Sequence, residues 1–167
     1  MLIPKIPFGA SILLLVGFAL LGACADSDDA STSRSAVDVA RMEVFKNPSC
    51  GCCGKWVKHI ESMGFKVTTG NSDRLAAIKQ EYGISPQLQS CHTAISDGYV
   101  FEGHIPASLI KKFLREKPPG AIGLSVPGMP AGSPGMEVSG RPDPYDVLLL
   151  HDDGSTSIYT HIDGSKK

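Results

Sequence analysis

The stretch Asn47-Pro48-Ser49-Cys50-Gly51-Cys52-Cys53-Gly54-Lys55-Trp56 places three cysteines within four positions. Before it, residues 42–46 alternate apolar and charged as a short strand does, and apolar residues recur at helical spacing over 56–63. The thiols are therefore predicted to lie in a turn between a strand and a helix. At such a turn the free backbone N–H groups and the helix dipole favour thiolate over thiol.

The spacing of these thiols allows two kinds of chemistry. Cys50 and Cys53 stand in the C-x-x-C relation of thioredoxin-like redox proteins, with Cys52 as a third sulfur between them. Two thiols at this spacing suit disulfide exchange, whereas a third thiol beside them suits a soft metal ion. Both interpretations stay open on spacing alone.

The N-terminal segment, residues 1–23, has the organisation of a secretion signal. Lys5 precedes an apolar run over 6–21, which is roughly 16 residues long against the about 20 that a spanning helix needs. The run ends in Leu21-Gly22-Ala23-Cys24, which resembles the lipobox of bacterial lipoproteins, so Cys24 is predicted to be lipidated. The alternative is an uncleaved anchor with an incidental cysteine. The predicted localisation is the bacterial cell envelope, as a periplasm-facing lipoprotein of the outer membrane in a Gram-negative host.

The rest of the chain is long enough for one domain with a core. Removing residues 1–23 leaves 144 residues. Residues 24–40 are rich in Ser, Asp and Ala and are predicted to form a flexible tether, so that the folded domain spans 41–167. The formal net charge of −1 gives no reason to expect a nucleic-acid partner. In an oxidising compartment the four remaining cysteines must be paired, metal-bound or redox-active.

Turn and cap signals divide this domain into further elements. After the first strand and helix they predict a strand at 65–68, a helix over 72–83, a hairpin of strands 91–96 and 99–102, and a helix over 106–117. The order β-α-β-α-β-β-α is that of thioredoxin-like domains, so an α/β thioredoxin-like fold is predicted. Residues 120–144 are predicted to form a long Gly- and Pro-rich loop, followed by a C-terminal β-hairpin of 145–150 and 157–161.

Four separate motifs together resemble one bacterial family. They read KNPSCGCCGKW at 46–56, SCHTA at 90–94, EGHIPA at 102–107 and GLSVPGMP at 123–130. In this order they are similar to the CopG-type copper-resistance proteins, which carry the DUF411 domain, over about residues 44–146. The resemblance implies an exported thioredoxin-like domain that binds copper through its cysteines and contributes to copper tolerance.

The residue types on offer also suit copper by their own chemistry. Cu(I) is soft and accepts two to four sulfur ligands, whereas zinc prefers four fixed thiolate and imidazole ligands. Met129 is preferred over Met136 as a thioether because it lies in a matched motif, although either can simply anchor the loop. His92 and His104 are either part of the site or satisfied structural residues. The predicted ligands are Cys50, Cys52, Cys53, Cys91, Met129, His104 and His92.

Three functions from different classes compete for this set of residues. The first is a metal-binding protein that sequesters or transfers Cu(I), with copper donor or acceptor proteins of the envelope as partners. Because thiolates bridge, more than one copper ion can be bound, and redox activity is compatible with this function. The second is a thiol-disulfide oxidoreductase in which Cys50 attacks and Cys53 resolves. The third is a structural zinc site. Disulfide exchange leaves Cys52, Cys91 and Met129 idle, so copper binding is preferred.

Overall fold

The structure, a computed structural model, describes residues 40–70, 72–137 and 140–164 of the chain. The predicted signal peptide, Cys24 and all but the last residue of the predicted tether lie outside these ranges. Within them, no helix has the length and apolar character needed to cross a membrane.

Seven strands and three α-helices make up the described part of the chain. In chain order they are β1 (Arg41–Lys46), α1 (Gly51–Ser62), β2 (Lys66–Gly70), α2 (Leu75–Glu81), β3 (His92–Ser96), β4 (Tyr99–Glu102), α3 (Ala107–Glu116), β5 (Ala121–Ser125), β6 (Tyr145–His151) and β7 (Thr156–Ile162). The predicted order of elements holds through α3, and β6 and β7 form the predicted C-terminal hairpin. The prediction of an α/β thioredoxin-like fold is thereby confirmed.

The predicted loop over 120–144 is wrong in its first residues, because Ala121–Ser125 forms β5. This strand pairs in parallel with β4, and its Leu124 is fully buried. A Cβ added to Gly123 would lie 1.7 Å from the Val100 carbonyl oxygen, so the glycine permits this close approach. In the sequence, Gly123 looked like part of a Gly-rich loop. In the structure, its missing side chain is what allows the strand to pair with β4. The described loop residues between β5 and β6 are 126–137 and 140–144.

The sheet order β2-β1-β3-β4-β5-β6-β7 brings the start of β3 beside the end of β1. These two strands are antiparallel, and Lys46 pairs with His92. The residue before His92 therefore lies next to the turn that leads from β1 into α1. The β3–β4 connection is the predicted Asp97-Gly98 turn, in which both residues have positive φ, 51° and 79°.

The helices cover the two faces of the sheet. Val100 and Phe101 are consecutive on β4 and so point to opposite faces. Phe101 packs with the buried residues of α1 and α3, whereas Val100 packs with Ile84, just after α2. On the α1 face, Trp56 is fully buried and its indole N–H donates to the Ile105 carbonyl at 2.9 Å. That contact ties α1 to the segment between β4 and α3, where His104 lies.

Candidate metal centre

The cysteine turn is shaped by hydrogen bonds within residues 47–53. The Asn47 side-chain oxygen accepts the Ser49 N–H at 2.9 Å, and the Asn47 carbonyl accepts the Cys50 N–H at 3.0 Å. Cys50 is the N-cap of α1, and its sulfur accepts the Cys53 N–H at 3.3 Å. The predicted strand-turn-helix placement of the cysteines is therefore confirmed, with Cys52 and Cys53 in the first helical turn.

The four predicted cysteine ligands, Cys50, Cys52, Cys53 and Cys91, lie together, with their sulfur atoms within 4.8 Å of one another. Cys50 and Cys53 are joined by a disulfide, and Cys52 and Cys91 are free. The Cys52 sulfur lies 3.4 Å from that of Cys50, and the Cys91 sulfur lies 3.4 Å from that of Cys53. Cys53 is buried, while the other three are partly exposed. The cluster is thus open to solvent on one side.

His104 presents a ring nitrogen to this cluster in a defined protonation state. Its Nδ1 lies 2.8 Å from the Pro134 carbonyl oxygen, which can only accept, so Nδ1 carries the proton. Burial lowers the pKa of His104, which keeps the ring neutral. The unprotonated Nε2 then lies 3.1 Å from the Cys91 sulfur. A metal-binding histidine is commonly oriented in this way, with its second nitrogen donating to a backbone carbonyl.

His92 is fully buried beneath the cluster. Its ring centroid lies 4.3 Å from that of Trp56 and 4.9 Å from that of His104, and its Nδ1 lies 3.5 Å from the Cys91 sulfur. Burial, followed by the charges near it, lowers the pKa of His92 well below the usual value. Its Nε2 is buried without a hydrogen-bond partner among the described residues. Cys91, His92 and His104 form a second group whose ligand atoms lie within 4.8 Å of one another.

Cys91 belongs to both groups of candidate ligands. Burial, and then the neighbouring Cys52, raises the pKa of Cys91 to about 11. The metal-free residue is therefore a thiol at neutral pH, and the His104 Nε2 is placed to accept its S–H. Because thiolate is the form that binds metal, binding at Cys91 must displace this proton.

The described part of the loop between β5 and β6 is attached beside the cluster at Gly128 and at Gly135. At the first, Ser90 Oγ donates to the Gly128 carbonyl and the Gly128 N–H donates to the Gln89 carbonyl at 3.0 Å. At the second, Gly135 lies against α1 so closely that an added Cβ would be 2.7 Å from the Cys52 carbonyl oxygen. Met129 follows the first attachment and its side chain is 52% exposed. Met129 thus follows a residue that is anchored to Ser90, the neighbour of Cys91.

Sequence reasoning left Lys79 and Glu102 without a role, although both are buried near Cys91. Glu102 stands in the quoted motif at 102–107, and an acidic residue at the end of a strand of buried apolar residues is the signal that was available. Lys79 carried no signal, because nothing in a helical pattern shows that its ammonium group reaches the sheet.

A solved structure described as "Copper resistance protein copG- Form 1" is 40% identical to this chain with a TM-score of 0.69, and the match covers 73% of this chain and 96% of that one. The chain belongs to the CopG family of copper-resistance proteins. A second CopG structure, described as "Form 2", is 42% identical with a TM-score of 0.69, covering 74% of this chain and 98% of that one. A family model described as "Protein of unknown function, DUF411" matches residues 88–136, which include four candidate ligands of this CopG-family chain. No curated protein matches the chain.

Proposed function

We propose that this CopG-family chain binds copper as Cu(I) through Cys50, Cys52, Cys53 and Cys91 and contributes to copper tolerance by sequestering or transferring the ion. The observation that carries the proposal is the convergence of four sulfur atoms within 4.8 Å at a partly open site. Thiolates are the preferred ligands of Cu(I). The CopG relatives support copper as the metal, since their descriptions name copper resistance.

His104 and His92 add nitrogen ligands at the Cys91 side of the cluster. The two candidate groups share Cys91, so a bridging thiolate there would let the centre hold more than one copper ion. The free Nε2 of His104 is the better placed of the two histidine donors, because its ring is fixed by the Pro134 carbonyl. The partly exposed sulfurs and the exposed Met129 side chain provide contact points for a copper donor or acceptor protein of the envelope.

A second candidate function, thiol-disulfide exchange, is favoured by the Cys50–Cys53 disulfide. In the reduced protein the Cys50 thiolate would attack a substrate disulfide and form a mixed disulfide. Cys53 would then displace the substrate thiolate, which leaves the substrate reduced and Cys50–Cys53 oxidised. The position of Cys50 at the N-cap of α1, where its sulfur accepts a backbone N–H, stabilises the attacking thiolate.

Cys52→Ser separates the two functions. The variant keeps Cys50 and Cys53, so an oxidoreductase should retain most of its disulfide-exchange rate. A copper centre that shares thiolates should bind Cu(I) at least about 10-fold more weakly, since loss of even an outer partner of a metal ligand costs this much. The measurements are an anaerobic Cu(I) competition titration and a disulfide-exchange assay on both proteins. Unchanged copper affinity in Cys52→Ser together with a retained exchange rate would contradict the proposed set of copper ligands.

Met129 is proposed as a thioether ligand, and Met129→Ala tests it. A thioether has no proton to lose, whereas thiolate and imidazole ligands meet growing proton competition in acid. Met129→Ala should therefore weaken Cu(I) binding with a deficit that grows as the pH falls from about 7 to about 5. Zinc affinity should stay nearly constant, because thioether contributes little to zinc binding.

The alternative for Met129 is an anchor for the loop, and a thermal melt run beside the titrations distinguishes it. If Met129 anchors the loop, Met129→Ala should lower the melting temperature. If Met129 is only a ligand, its removal should cost little stability, because a residue that is 52% exposed loses little burial. An equal loss of Cu(I) affinity at both pH values would remove Met129 from the centre.

We also propose that the chain is an exported lipoprotein anchored through Cys24, because residues 1–24 combine a charged start, a short apolar run and a lipobox-like end. This places the centre in an oxidising compartment, where an uncoordinated dithiol would become a disulfide. Membrane fractionation of Cys24→Ser is the test, and a variant that stays with the membrane would contradict lipidation.

A further inference from the structure

A buried ion pair lies beneath the segment that carries Cys91. Glu102 on β4 is fully buried, Lys79 on α2 is 6% exposed, and their charged groups are in direct contact. Burying two charges is costly, and replacing such a pair by apolar residues is often neutral or stabilising. Stability alone therefore does not explain why this interior position holds a lysine and a glutamate.

The Glu102 carboxylate also holds the chain on both sides of Cys91. Its Oε1 accepts the Ser90 N–H at 2.6 Å, and its Oε2 accepts the Thr93 hydroxyl at 2.6 Å. Ser90 precedes Cys91 directly, and Thr93 follows after one further residue. One carboxylate therefore fixes the start and the end of a four-residue segment whose middle residues are the candidate ligands Cys91 and His92.

Lys79 completes the arrangement as the counter-charge of the carboxylate. Its ammonium group contacts Glu102 Oε1 and donates to Thr93 Oγ1 at 3.0 Å. It thus neutralises the buried carboxylate and holds the Thr93 hydroxyl. We refer to Lys79, Ser90, Thr93 and Glu102 as the carboxylate clamp.

The clamp also reaches the loop that carries Met129. Ser90, whose N–H binds Glu102, donates from its hydroxyl to the Gly128 carbonyl. Gly103, next to Glu102, has no room for a side chain, because an added Cβ would lie 2.6 Å from the Ser90 Cβ. Ser90 is therefore fixed from three directions.

We propose that Glu102, with Lys79 as its counter-charge, is the positioning residue of the metal centre and holds the Cys91 sulfur at bonding reach of the other ligands. Metal centres tolerate ligand displacements of only about 0.5 Å, so the backbone on both sides of a ligand must be held. This inference rests on the proposed copper function.

Two double variants test the clamp. Lys79→Met with Glu102→Leu removes both charges and the acceptors for Ser90 and Thr93, leaving a packed apolar pair. Lys79→Met with Glu102→Gln also removes both charges but keeps a side-chain oxygen for the Ser90 N–H. The Leu-containing variant should bind Cu(I) about 10–100-fold more weakly than wild type, because this is the usual effect of losing a group that holds a metal ligand in place. The Gln-containing variant should recover most of that affinity at a similar melting temperature.

Lys117→Met is the matched control, because it removes a lysine from an exposed ion pair with Asp97. Its Cu(I) affinity should equal that of wild type. The inference is overturned if the Leu-containing variant binds Cu(I) as tightly as wild type, or if the Gln-containing variant is as weak as the Leu-containing one. A wild type that binds no copper would instead refute the proposed function, so the two failures are distinguishable.

Amide hydrogen exchange on the wild-type protein tests the clamp even if a variant does not fold. The Ser90 N–H lies outside the helices and strands, and its bond to the buried Glu102 carboxylate should slow its exchange at least about 100-fold relative to an unprotected amide. Exchange of this amide at the unprotected rate would overturn the inference.

Discussion

Replacing Cys91 by serine is expected to remove most Cu(I) binding. Its sulfur lies 3.4 Å from the Cys53 sulfur and 3.1 Å from His104 Nε2, so it is the point at which the two groups of candidate ligands meet. A serine hydroxyl is a poor ligand for a soft ion. Loss of a residue that hydrogen-bonds a metal ligand weakens metal binding about 10–100-fold. Cys91→Ser removes a ligand itself, so its loss of Cu(I) affinity should be larger.

Competition titration with a Cu(I) chelator under anaerobic conditions measures this loss. Cys24→Ser is the matched control, since it makes the same chemical change at a cysteine that is not among the predicted metal ligands, and its Cu(I) affinity should be unchanged. A thermal melt of both metal-free variants shows whether folding is preserved. Wild-type affinity in a folded Cys91→Ser protein would exclude Cys91 as a ligand.

The second large effect is expected from the oxidation state of Cys50 and Cys53. The disulfide between them leaves Cys52 and Cys91, 4.0 Å apart, as the free thiols of the cluster. Because thiolate is the form in which cysteine binds metal, reduction should raise the number of thiolate ligands from two to four. The reduced protein should therefore bind Cu(I) at least about 100-fold more tightly than the oxidised protein, because the Cys50 and Cys53 thiolates can then coordinate the ion directly.

This comparison uses a single preparation, titrated with Cu(I) before and after treatment with a phosphine reductant that is then removed. By linkage, each tenfold preference of Cu(I) for the reduced form raises the reduction potential of the Cys50–Cys53 couple by about 30 mV. Copper should thus protect the two thiols from oxidation. Equal affinity and stoichiometry in both redox states would show that copper binds without these two cysteines.

Local signals were sufficient to predict most elements of the fold. Asp97-Gly98 determined the β3–β4 hairpin because an Asp-Gly pair readily adopts the positive φ angles that such a turn needs. Helical spacing after the cysteines predicted α1 for the same local reason. β5 was missed because its pairing with β4 is non-local and depends on Gly123, whose absent side chain makes room for the neighbouring strand.

The candidate centre was predictable where it follows from strand order. Cys91 was predicted as a ligand, and it lies beside the cysteine turn because the strand that follows it pairs with β1, Lys46 opposite His92. The protonation state of His104 was not predictable, since it depends on the Pro134 carbonyl at a distance of 30 residues along the chain. The contact between Lys79 and Glu102 depends in the same way on the packing of α2 against the sheet.

The most direct test of the account is metal analysis of the reduced protein after exposure to equal amounts of Cu(I) and zinc, followed by removal of unbound metal. Four converging sulfur atoms with a neighbouring imidazole predict at least about one copper per chain with little zinc, because the site is rich in the soft ligands that Cu(I) prefers. Protein that retains zinc alone would contradict the copper proposal.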